Sequence, residues 1–97
     1  MCFRVIHIFE CSTVFNQVND HLDTVLGFTD ILREVYSYEE LRIPIEMLET
    51  AEEFLDSCLD ETNRYIFFMK LLNAERLVYG VEKIYHDTYE IEEPVFI

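Results

Sequence analysis

Seven carboxylates lie between Arg42 and Arg64 with no base among them: Glu46, Glu49, Glu52, Glu53, Asp56, Asp60 and Glu61. Glu46, Glu49, Glu53, Asp56 and Asp60 are separated by three, four, three and four residues, so on an α-helix they stack along one face. Glu39 and Glu40 extend the acidic stretch upstream. Like charges at these spacings cost roughly 0.2–0.5 kcal/mol per pair, and no lysine is interleaved to relieve them. Two chemistries are open to such a row. One is a solvated face that keeps a small chain in solution; the other is a surface that meets a basic partner where phosphates normally go. Glu46 to Asp60 spans about 21 Å at 1.5 Å per residue, and duplex DNA presents about twelve phosphates over that length. One helix supplies about half that density. Asp20, Asp23, Asp30 and Glu34, together with Asp87, Glu90, Glu92 and Glu93 near the end of the chain, would have to share its side, or a dimer would have to double it.

Catalysis needs groups that converge, and the three histidines, His7, His21 and His86, are scattered. Glu82 and His86 lie one helical turn apart, and His21 lies beside Asp20, Asp23 and Thr24, but the paired glutamate–histidine spacing of di-iron bundles is absent. Ser12, Ser37 and Ser57 have no glycine elbow, and neither Gly27 nor Gly80 sits in a phosphate-cradling loop. The expectation is a protein that is not an enzyme, with no catalytic residue, no cofactor and no metal. Cys2, Cys11 and Cys58 are odd in number and widely spaced, which suits free thiols in a reducing cytoplasm. Free cysteine is mostly a small buried hydrophobe.

The elements that must position these groups follow from composition. The 97 residues fit one domain, 1–97, with an expected radius of gyration of roughly 12–13 Å. Half the residues are apolar, 14% are aromatic, and only two glycines and two prolines punctuate the chain, which favours long helices over many short strands. The formal charge of −13 repels nucleic-acid phosphates and anionic membranes alike, so direct binding to either is not expected. No stretch approaches the roughly 18 consecutive apolar residues that a membrane span requires.

A mainly α (α+β) fold is expected, a compact bundle of about four helices with a minor β element. Cys2 to Phe9 is rich in β-branched and aromatic residues and is the best strand candidate. Ser12 or Thr13 would cap a first helix from about Thr13 to Leu26, carrying Val14, Val18, Leu22 and Val25, with Gly27 as its left-handed terminator. Thr29 would cap a second, broken segment, restarted by a capping box at Ser37-Tyr38-Glu39-Glu40. Pro44 would open a third helix ending near Asp60, with Leu48, Ala51, Leu55, Cys58 and Leu59 as its apolar stripe. After Thr62 or Asn63 as cap, Phe67, Leu71, Ala74, Val78, Val81 and Tyr85 alternate by four and three, which favours one helix over 64–86; a hairpin turning at Asn73-Ala74-Glu75 is its rival. The tail from Tyr89 to Ile97 would lie as an edge beside the N-terminal strand.

Tyr65 to Leu72 is apolar nearly all round, so it must be buried on more than one side. Either the other helices surround it or Phe68, Met69 and Leu72 form a homodimer seam. In size, charge and helicity the chain looks like the small acidic DNA mimics carried by phages and mobile elements, including restriction and CRISPR inhibitors; the likeness is one of composition and matches no motif. It implies a non-enzymatic inhibitor whose partner is a basic nucleic-acid-binding protein, acting in the cytoplasm, of a host cell if viral. The alternative is an acidic adaptor, antitoxin-like or transcription-modulating, whose specificity lies in apolar contacts and in Tyr36 and Tyr38.

Overall fold

In the computed structural model the described residues are 2–90, with side chains described from residue 13 onward. They form three helices: α1 (Cys2–Leu32), α2 (Tyr38–Cys58) and α3 (Arg64–Tyr89). The fold is mainly α, and no strand occurs among the described residues. At 1.5 Å per residue the helices are about 46, 31 and 39 Å long. Their length explains a radius of gyration of 15.3 Å, above the compact-domain value. Short connections at 33–37 and 59–63 make α2 antiparallel to both neighbours, an up-down-up arrangement.

The expected second, broken segment divides between α1 and α2, and the expected N-terminal strand is absorbed into α1. Cys2–Phe9 continues the helix, because a lone strand has no partner for its backbone whereas a helix bonds its own. Of the tail expected to pair with it, Tyr89 ends α3 and Glu90 caps that helix, while 91–97 lie outside the described residues. Gly27 does not end the helix; its φ is not positive, and a Cβ built there meets nothing within 4 Å. A helical glycine on a solvent face costs about 1 kcal/mol relative to alanine, which the packing on either side readily exceeds. Thr13 is likewise interior to α1, and so is Thr29, whose hydroxyl donates to the Val25 carbonyl at 3.1 Å instead of capping.

Ser37 is the true start of α2. Its Oγ accepts from the Glu40 amide at 3.3 Å and donates to Glu40 Oε1 at 3.1 Å, a variant of the expected capping box. Pro44 is therefore inside the helix, not its first residue. Having no N–H, it leaves the Glu40 carbonyl without its helical partner. The Tyr89 hydroxyl, at the far end of α3, donates to that carbonyl at 3.0 Å, and the Tyr89 ring packs edge-on against Tyr36 at 4.8 Å. Asn63 caps α3 by accepting from the Ile66 amide at 3.1 Å, and Glu90 closes it with φ 58, so 64–89 is one helix and not a hairpin.

The core is one cluster. Val18, Leu22, Val25 and Leu32 come from α1, Leu41, Ile45, Leu48, Ala51, Leu55 and Cys58 from α2, and Leu71, Ala74, Val78, Val81 and Tyr85 from α3. Leu59, expected in the stripe of α2, is instead exposed, because the helix ends at Cys58 and the chain turns. Among the described residues, packing is most extensive between α2 and α3 and least between α1 and α2. No helix among the described residues is long and apolar enough to cross a membrane.

Candidate functional site

The heptad-like apolar stripe of α2 turns its Leu41–Cys58 face inward and leaves Glu46, Glu49, Glu52, Glu53 and Asp56 exposed, as are Glu39 and Glu40 in its first turn; Asp60, expected on the same helical face, is exposed in the turn beyond the end of the helix at Cys58. Two open grooves run between α1 and α2. In one, Asp30 of α1 faces Glu49 and Glu52 of α2, with Arg33 beside them. In the other, Asp23 and Asn19 of α1 face Glu52 and Asp56. Carboxylates of two helices thus converge on the least-packed contact of the bundle. On α1, Asp20, Asp23 and Asp30 are spaced three and seven apart, one face of a helix, and their row spans about 15 Å; Glu34 lies past the helix end, in the connection to α2.

Not every candidate carboxylate is free. Arg42 lies between Glu39 and Glu46, at 3.8 and 3.6 Å, in exposed pairs of small energetic weight. Glu61 belongs to the α2–α3 connection. Its Oε2 accepts from Lys70 Nζ at 3.1 Å and its Oε1 from the Asn63 amide at 3.1 Å, and these bonds, Lys70 first, hold its carboxyl below the usual range. Glu61 thus ties α3 to the end of α2 and stands apart from the groove. Asp87 pairs with Lys83 at 3.5 Å along α3, and Glu92 and Glu93 lie outside the described residues.

The remaining polar groups have structural partners. His21 and Glu82, from α1 and α3, meet at 3.0 Å between Nε2 and Oε2, and the His21 ring packs edge-on against Tyr79 at 4.5 Å. Glu82 therefore reaches across the bundle. Among the described residues no three His, Cys, Asp or Glu side chains come together as a metal would need. Tyr85, wholly buried, contacts Thr29 Oγ1 at 2.7 Å, and burial pushes its ionisation up. Cys58 is buried with its Sγ 3.7 Å from the Phe67 carbonyl, and burial raises its thiol. Of the apolar candidates, Phe68 is half-buried against Phe67, while Met69 and Leu72 are exposed; Tyr38 is exposed and Tyr36 is taken by Tyr89.

In comparisons with known proteins, no family model, no curated protein and no solved structure matches this chain.

Proposed function

We propose that this chain is a non-enzymatic inhibitor that presents the carboxylates of α1 and α2, in place of nucleic-acid phosphates, to a basic nucleic-acid-binding protein. The observation that supports it is the convergence of Asp23, Asp30, Glu49, Glu52 and Asp56 on one pair of grooves. A face that served solubility alone would gain nothing from facing its charges at one another. Here they converge where the bundle has least packing to offset the repulsion. Within α1 and α2, Asp20, Asp23, Asp30, Glu46, Glu49, Glu52, Glu53 and Asp56 make eight carboxylates along about 15 Å of each helix, against about nine phosphates of duplex DNA over that length. Such a surface gains association rate by electrostatic steering and competes for a groove built to release counterions.

The test is displacement. Changing Glu49, Glu52 and Asp56 together to lysine, on exposed positions off the core stripe, should leave the helical circular dichroism spectrum intact. A fluorescent oligonucleotide seated on the partner, once that is captured, should be displaced by the wild-type chain. The triple variant should be weaker by about a hundredfold or more, since like-charge juxtaposition costs several kcal/mol. Undiminished displacement by the variant, or a complex that keeps the oligonucleotide in its groove, overturns the reading; the second result is the behaviour of an adaptor.

A further inference from the structure

The outward face of α3 repeats the spacing of its core face. Tyr65, Met69, Leu72, Arg76, Tyr79 and Lys83 are separated by four, three, four, three and four residues, a second heptad seam opposite the buried one. All six are exposed, Tyr65 at 73%, Tyr79 at 54% and Leu72 at 40%. The seam carries two bases, Arg76 and Lys83, and no acid, and the helix as a whole differs in charge from the rest of the molecule. α3 holds Arg64, Lys70, Arg76 and Lys83, four of the seven bases of the chain, against only three acids, Glu75, Glu82 and Asp87.

We infer that this seam binds a second copy of the chain, helix α3 against helix α3, in antiparallel register about Leu72. The charge distribution selects both the partner and the direction. Two chains of charge −13 repel, and α3 is the element through which they approach with their acidic grooves turned away from each other. In a parallel pair every seam residue meets its own copy, so Arg76 faces Arg76 and Lys83 faces Lys83. A two-fold axis at Leu72 removes both clashes: Leu72 meets Leu72, Tyr65 meets Tyr79, and Arg76 lies over Met69. It also carries Lys83 to the level of Asp60 and Glu61 in the second copy. The seam from Tyr65 to Lys83 is about 27 Å long, which is small for a stable interface, so association belongs in the micromolar range. This inference does not depend on the phosphate-mimic reading; a dimer without inhibition, or inhibition by a monomer, separates the two.

Sedimentation equilibrium of the full chain from about 1 to 200 µM is the test. The wild type should pass from monomer to dimer across that range, and Leu72→Glu should weaken dimerisation at least about tenfold while keeping its helical spectrum. Should that variant unfold, Tyr79→Ser carries the same expectation at a more exposed position. Met69→Glu reports the register: facing Arg76 of the second copy twice over, it should dimerise as tightly as the wild type or more so. A wild type that stays monomeric at the highest concentration, or a dimer indifferent to Leu72→Glu and Tyr79→Ser, overturns the inference. Loss of dimer in Met69→Glu as severe as in Leu72→Glu overturns the antiparallel register.

Discussion

Thr29 has a single hydroxyl proton, which goes to the Val25 carbonyl, so the Tyr85 hydroxyl is the donor in the 2.7 Å contact between the two side chains. That asymmetry makes their replacements unequal. Thr29→Val strands the Tyr85 O–H in a wholly buried site, and an unsatisfied buried donor costs about 1–3 kcal/mol. Tyr85→Phe leaves Thr29 with its Val25 bond and should cost only about 0.5–1.5 kcal/mol. The double variant, with both polar partners gone, should be closer to Tyr85→Phe than to the sum. Urea unfolding of the three variants measures this; a Thr29→Val cost no larger than that of Tyr85→Phe would reverse the donor assignment. Tyr85 was legible as a core position from its spacing with Val78 and Val81. Its bond to Thr29 was not, because periodicity within one helix says nothing of a partner 56 residues away. His21 and Glu82, 61 residues apart, escaped for the same reason.

At the scale of elements, the sequence marks only some of the helix starts: Ser12, Thr13 and Thr29, read as caps, lie inside α1. Ser37 and Asn63 cap as their side chains imply, whereas Gly27, read as a helix end, and Pro44, read as a helix start, both lie inside helices. Each is tolerated for a local reason: Gly27 because its surroundings are open, Pro44 because Tyr89 serves the carbonyl it orphans. The sign of Gly27→Ala distinguishes the two descriptions of this segment. In a continuous α1 the alanine meets nothing and relieves the entropic cost of glycine, so it should stabilise by about 0.5–1 kcal/mol. At a left-handed helix terminator the same change would destabilise by a similar amount. Thermal unfolding should therefore show a higher midpoint for Gly27→Ala; a lower one would mean that the helix breaks where the glycine suggested.

For the whole molecule the decisive quantity is charge, and salt should act on it in two opposite senses. The net charge and the α2 stripe are plain in the sequence, but that Asp23 and Asp30 share its grooves depends on how the core stripes rotate α1 against α2, which no single-helix pattern contains. With several like-charged neighbours relieved in part by Arg33 and Arg42, at roughly 0.2–0.5 kcal/mol each, the repulsion carried by the free chain should be about 1 kcal/mol at low ionic strength. Raising salt from about 0.01 to 1 M shrinks the screening length from about 30 to 3 Å. Unfolding of the isolated chain should then move up by about 4–8 °C, the shift that 1 kcal/mol makes in a chain of this size. Glu49→Gln, Glu52→Gln and Asp56→Asn together should raise the low-salt midpoint and flatten the salt response. Binding to a basic partner should weaken over the same range, because there the charges attract. A midpoint indifferent to both salt and neutralisation would mean that the carboxylates do not strain the fold, and the argument that they converge for a partner would lose its basis.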